Sequence, residues 1–340
     1  MTKKMQQMTV LEILNRTKVF FEKKGIPDAR LDAEYIISHG LQMKSRMDIY
    51  LNFEKPLTDA ELDVLRQMVA RRANREPLQH IIGDTSFRGF IIKYDPRALI
   101  PRPETESLVD MAKAALKGIE NPFIVEVGTG TGAISIACAK EIANAKVLAT
   151  DISEDALSLA RETADANSLS ANAAENGSTL TFAQGDLLDA VTDTAKMDCL
   201  IANLPYIPDS EKGKLQPEVD KFDPALALYG GPDGLTLVRK LLQQTEGKLS
   251  AGAPILLEIG SEQAEVLKNE AANYPWLEFS GIHKDYCGNV RFVSYKAKYI
   301  FIVIFNRFTA NLVTIGSRMK YFSFECRQNF LYNQKEAAHS

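Results

Sequence analysis

The sequence predicts an α/β fold, a mostly parallel, doubly wound sheet behind a small N-terminal helical domain, and three observations carry that expectation. From residue 123 onward, short β-prone runs alternate with helical stretches. The first of those runs empties into the glycine loop Gly128-Thr129-Gly130-Thr131-Gly132, the turn that typically joins a first strand to its crossover helix. Residues 1–80, in contrast, carry helix start and stop signals.

In residues 1–80, Thr9-Val10-Leu11-Glu12 and Thr58-Asp59-Ala60-Glu61 both fit a capping box, in which threonine and glutamate satisfy each other's free backbone donors. Another helix can start at Pro27-Asp28 and stop at Gly40. Leu11, Leu14, Leu31, Tyr35, Leu62, Leu65 and Met68 are expected to form the buried stripes. From His80 to Leu99 the pattern shifts to the β-prone runs Ile81-Ile82 and Phe90-Ile91-Ile92 around Gly83 and Gly89. A hairpin linker over 81–103 follows. The main domain is expected over 104–293, opening with an amphipathic helix (Leu108, Met111, Ala112, Ala115). Its candidate strands are 123–127, 146–150, 179–183, 198–202, 254–259, 277–282 and 290–293, with helices between most of them. The stretch 164–178, rich in Ala, Asn and Ser, reads as a helix end and loop. Residues 294–340 form an aromatic, basic tail whose apolar run Tyr299 to Phe305 is too short to span a membrane and reads as an edge strand, a docking segment or an extension.

The chain has 340 residues, 45% of them hydrophobic, enough for one full α/β domain and a smaller one. A net charge of -4 gives no long-range attraction for a polyanion, so no stable nucleic-acid partner is expected, and Arg71, Arg72 and Arg75 read as a solvated helix end. Cys138, Cys199, Cys287 and Cys326 lie far apart, as do His39, His80, His283 and His339. A reduced, cytoplasmic protein without a metal site or a membrane segment is expected.

The chemistry is concentrated in Asn203-Leu204-Pro205-Tyr206, which follows a candidate strand. An amide or exocyclic amine is a poor nucleophile because its lone pair is delocalised, so a catalyst must hold both N–H bonds on fixed acceptors. Asn203 offers its side-chain carbonyl. Leu204 offers its backbone carbonyl, restrained by the proline that follows, and Tyr206 offers a flat face to a planar group. The glycine loop alone suits a dinucleotide or S-adenosylmethionine equally, since it also satisfies G-x-G-x-x-A. Asp151, about 20 residues on, can accept from ribose hydroxyls or act as an N-cap. Asp186 can accept from an adenine amino group while Leu187 packs the ring, or be a turn aspartate. No nicotinamide half is evident, and the Asn203 motif decides for S-adenosylmethionine.

From about Thr9 to Val293 the chain resembles the release factor glutamine methyltransferases. The most specific stretches are Arg75-Glu76-Pro77-Leu78-Gln79-His80-Ile81-Ile82-Gly83 and Leu99-Ile100-Pro101-Arg102-Pro103-Glu104-Thr105-Glu106. Further similarity lies in Asp223 to Leu228, in Gly230-Gly231-Pro232-Asp233-Gly234, in Leu257-Glu258-Ile259-Gly260 and in Asp285 to Arg291. The resemblance implies a Rossmann-like class I methyltransferase sheet and methyl transfer from S-adenosylmethionine to the glutamine amide of the Gly-Gly-Gln loop of class 1 peptide chain release factors. It implies cofactor contacts from Gly128, Thr129, Gly130, Thr131, Gly132, Asp151, Asp186, Leu187 and Asn203, with Asn203, Leu204, Pro205 and Tyr206 acting on the substrate. Two departures stand out. The family normally has Asn-Pro-Pro-Tyr, and it ends near Val293. Asn-Leu-Pro-Tyr is also similar to the motif of rRNA dimethyladenosine transferases, so methylation of an adenine amino group in RNA or DNA is the alternative. A binding module without catalysis would predict a decayed cofactor loop, and the loop is intact.

Overall fold

The computed structural model describes residues 7–169, 174–192 and 196–298, which fall within one compact unit. Of the expected tail, 299–340 lies outside the described residues, as does 170–173 of the expected loop. The helical region comprises α1 (Val10–Lys23), α2 (Ala29–Gly40), α3 (Asp48–Leu51), α4 (Asp59–Ala73) and α5 (Leu78–Ile82). Both capping boxes form, with the Thr9 and Thr58 N–H groups donating to Glu12 and Glu61 at 3.0 and 2.8 Å. Leu14, Leu62, Leu65 and Met68 are buried in one cluster, whereas Leu31 and Tyr35 are 38% and 40% exposed. The buried face of α2 is instead Ala29, Ala33, Ile36 and Ile37. A 3.6-residue period fits either stripe, and close packing selects the one with small residues: a Cβ on Gly40 would sit 2.6 Å from Leu65 Cδ2 of α4.

Two other expectations change. Ile81 and Ile82 belong to α5, not to a strand, and Gly83 closes that helix at φ 87°. Ile81 packs into the helical core, so tertiary burial overrides its β preference. The hairpin is β1 (Asp84–Phe87) against β2 (Phe90–Lys93), turning at Arg88-Gly89 with both φ positive, as a tight two-residue hairpin turn demands. The arginine cluster is no solvated face. Arg72 is buried, donating to Asp32 at 2.6 Å and to Glu218 at 3.1 Å, and Arg75 donates to the other Glu218 oxygen at 2.7 Å. The partner comes from 146 residues away, so only the fold reveals it.

After α6 (Glu106–Ala115) come β3 (Phe123–Val127), α7 (Ala133–Glu141), β4 (Lys146–Asp151), α8 (Glu154–Ala166), β5 (Thr179–Gln184), β6 (Cys199–Ala202), α9 (Pro217–Phe222), α10 (Thr236–Gln244), β7 (Pro254–Glu258), α11 (Ala264–Glu270), β8 (Leu277–Lys284) and β9 (Val290–Ala297). The sheet order is β5-β4-β3-β6-β7-β9-β8, parallel from β5 to β7 and antiparallel at β8 and β9. β7 is buried along its whole length because apolar clusters cover both faces of the sheet. The chain winds outward from β3 to β5, then restarts on the other side at β6. That reversal opens a crevice at the carboxyl ends of β3 and β6. β9 runs past Val293 to Ala297, and Tyr295 in it is fully buried, donating to the Leu267 carbonyl at 2.9 Å.

Candidate active site

The glycine loop leaves β3 inside this crevice. Gly128 and Thr129 N–H donate to the Thr150 carbonyl at 2.8 and 3.0 Å, bending the loop over β4. Gly128 has φ 73°, a left-handed conformation that favours glycine, and a Cβ there would crowd Leu204 Cδ2 at 3.0 Å. The Asp151 carboxylate accepts from Gly130 N–H and Ser153 N–H, each at 2.9 Å, and therefore braces the loop as well as facing the cavity. Burial raises its pKa, opposed by those backbone donors. Glu126 is buried beneath the loop, accepting from the Thr129 hydroxyl at 2.7 Å and Ser135 N–H at 2.9 Å. Burial pushes its carboxyl up to about 7.

Of the residues singled out in the sequence, Gly128, Gly130, Asp151, Asp186, Leu187, Asn203, Leu204 and Pro205 line one cavity. Thr129 and Thr131 face an adjoining recess that also holds Asn203, Thr105 and Glu126. Gly132 lines neither: it precedes α7, and a Cβ on it would press on Ala160 and Ile136 at 3.1 and 3.2 Å. The Asp186 carboxylate pairs through Oδ2 with the exposed Lys240, and no described group donates to its Oδ1. Apolar walls come from Ala98, Leu99, Ile152, Pro224, Leu226 and Leu237, none of which the sequence assigned to the cavity. Leu99, Pro224 and Leu226 lie in stretches that carry the family resemblance, but an apolar side chain announces no chemistry by itself.

The Asn203 segment closes the cavity where β6 ends. Asn203 Nδ2 donates to Thr105 Oγ1 at 3.4 Å. Among the described residues no group donates to Asn203 Oδ1 or to the Leu204 carbonyl, so two acceptors stand free side by side. The Leu204 side chain is buried against Gly128. Tyr206 is half-buried, does not line the main cavity and points toward Gly260, while burial raises its phenol pKa. Its carbonyl accepts from Gln263 Nε2 at 2.9 Å. The turn Gly230–Gly234 grips the segment from outside. Gly234 has φ 75°, and a Cβ on it would lie 2.0 Å from the Tyr206 carbonyl oxygen. Ile207 N–H and Gly230 N–H complete the grip, donating to the Leu228 and Ile207 carbonyls at 3.0 Å each. This geometry suits a group that brings two N–H donors and needs positioning. Cys138 and Cys199 are fully buried with thiol pKa values raised by burial, so neither serves as a nucleophile.

Comparison with known proteins agrees with both halves of the molecule. Residues 12–83 match the family model of the PrmC N-terminal domain, and residues 124–221 match that of a methyltransferase domain, whose chemistry requires a methyl donor. The release factor glutamine methyltransferase of Geobacter sulfurreducens is 35% identical over 267 residues, covering 78% of this chain and 89% of the relative. The release factor glutamine methyltransferase of Deinococcus radiodurans is 35% identical over 286 residues, covering 84% and 98%. Among solved structures, the hMettl16 catalytic domain in complex with the MAT2A 3'UTR hairpin 6 superposes with a TM-score of 0.50 at 15% identity, over 73% of this chain and 84% of that one, a likeness of fold alone. With similarity to those relatives running through helical region and sheet alike, the chain belongs to the release factor glutamine methyltransferase family.

Proposed function

We propose that this enzyme transfers a methyl group from S-adenosylmethionine to the side-chain amide nitrogen of the glutamine in the Gly-Gly-Gln loop of a class 1 peptide chain release factor. The observation that carries the reading is the convergence of the glycine loop, Asp151 and the free acceptors of Asn203 and Leu204 on one cavity. The donor fits that cavity: Gly128 and Gly130 let the backbone approach it, the Asp151 carboxylate faces inward for hydroxyl groups, and Ile152, Leu187 and Leu226 offer apolar walls for a ring. When bound it supplies an electrophilic methyl group on a sulfonium. The protein's own contribution is positioning. Asn203 Oδ1 and the Leu204 carbonyl each take one N–H of the substrate amide, which draws its lone pair out of conjugation and aims the nitrogen. The nitrogen–carbon bond forms as the sulfur–carbon bond breaks to leave S-adenosylhomocysteine, one amide proton is released, and no covalent intermediate with the protein is needed.

Adenine in RNA as the acceptor finds less support, because the net charge is -4 and the arginine cluster is engaged by Asp32, Glu76 and Glu218. The test is incubation with labelled S-adenosylmethionine and either release factor or rRNA, followed by mass mapping. Label on the loop glutamine, lost when that glutamine is replaced by glutamate, is expected. Label in RNA with none in release factor overturns the reading.

A further inference from the structure

We infer that Thr105 and Glu258 are positioning residues that decide which end of the Asn203 amide faces the substrate, and thereby set the preference for glutamine over glutamate; the inference rests on the function proposed above. Thr105 lies in the turn Pro103–Thr105 ahead of α6, Glu258 ends β7 and Asn203 follows β6, so three distant segments meet at the carboxyl edge of the sheet. Thr105 and Glu258 are both buried, and the Thr105 hydroxyl donates to Glu258 Oε2 at 2.7 Å.

A hydroxyl has one proton, and a carboxylate can only accept. With its proton committed to Glu258, Thr105 Oγ1 presents only lone pairs to Asn203. The Asn203 group that faces it must then be the NH2, and Nδ2 does lie 3.4 Å from Oγ1. A flipped amide would set two acceptor oxygens against each other in a buried recess, which costs free energy with nothing to offset it. Oδ1 is therefore turned away from Thr105, toward the substrate side. Burial, with the nearby Glu104 charge, raises the Glu258 carboxyl on balance against the Thr105 hydrogen bond and the charges of Arg102 and Arg291, so the direction of the Thr105 bond rests on its geometry. Hydrogen-bond polarity runs in sequence from carboxylate to hydroxyl to amide to substrate. Reversing it would present an NH2 group to the substrate, the right partner for a carboxylate and the wrong one for an amide.

The experiment uses the full chain with release factor and its glutamine-to-glutamate loop variant, measuring kcat on the first and dissociation constants for both in the presence of S-adenosylhomocysteine. Thr105→Val, close to isosteric, is expected to lower kcat on the order of tenfold and to shrink the glutamine-to-glutamate affinity ratio by a similar factor, with the S-adenosylhomocysteine dissociation constant unchanged. Thr105→Ser recovers most of both. Glu258→Met frees the Thr105 proton to donate to Asn203 Oδ1, so it should shrink the ratio too, and it decides the matter if Thr105→Val does not fold. A purely structural role would alter stability and leave the ratio intact. An unchanged ratio in folded Thr105→Val or Glu258→Met overturns the relay while leaving the proposed function standing. Wild-type enzyme that leaves the glutamine unmethylated overturns both.

Discussion

At the residue scale, the carboxylates around the glycine loop take their roles from their partners. Asp151 holds Gly130 N–H and Ser153 N–H, yet its carboxylate still faces the cavity. Asp151→Ala should weaken S-adenosylmethionine binding by roughly 1.5–3 kcal/mol, the value of a hydrogen bond to a charged acceptor; calorimetric titration measures it, and an unchanged dissociation constant would place the ribose contact elsewhere. Glu126 differs because it lies under the loop. Its carboxyl is raised from 4.5 to about 7 by burial, so the folded state binds its proton more tightly than the unfolded chain does. Its contribution is therefore fully present below about pH 4.5 and is lost as pH rises through 7, on the order of 3 kcal/mol in all. Glu126→Gln, which cannot ionise, should flatten that dependence. Urea midpoints of both proteins at pH 5 and pH 8 check this, and parallel slopes would contradict it. Asp151, Asn203 and the glycines were legible in the sequence because each belongs to a short motif with a chemical reason for its residue types. Thr105 and Glu258 were not, because the bond joining them spans 153 positions.

At the element scale, the helical region is tied to the segment that follows the Asn203 motif. Glu218 on α9 takes Arg72 from the last turn of α4 and Arg75 from just beyond it, and just beyond α9 Asp223 accepts from the Tyr94 hydroxyl at 3.0 Å, with the Tyr94 ring stacked on His80 at 4.7 Å. Without Glu218, Arg72 keeps Asp32 but loses its second carboxylate and Arg75 loses its ion pair, so Glu218→Ala should cost about 1–3 kcal/mol. Glu211→Ala, whose partner Lys214 is exposed, should cost less than about 0.5 kcal/mol. Denaturant unfolding of both variants provides the comparison, and equal losses would show that the clasp adds nothing. The helix caps and strand runs could be read locally because each rests on neighbours within four residues. Ile81-Ile82 misled because local β preference is weaker than burial against a helix that only the folded chain supplies.

At the scale of the whole molecule, the sheet closes on β9, and the expected boundary at Val293 cuts that strand in half. Val293, Ser294, Tyr295 and Lys296 pair with β7 on one side and β8 on the other. A chain ended after Lys298 keeps all of β9 and every residue assigned to the two sites, so it should retain methyl transfer. One ended after Val293 loses Tyr295, a fully buried aromatic, and should be destabilised by about 3–5 kcal/mol or fail to fold. Thermal unfolding of the two separates these outcomes, and equal midpoints would refute the assignment. The sequence by itself determined the alternation of strands and helices, the order of the two regions, and the motifs that name the chemistry, because these depend on residue type at short spacing. Only the tertiary structure decided which face of α2 is buried, that the arginine cluster is a clasp, that Asp186 is engaged by Lys240 and that Thr105 and Glu258 stand behind Asn203. Each of those depends on groups brought together across tens to hundreds of residues, and burial and hydrogen-bond polarity are properties of that meeting.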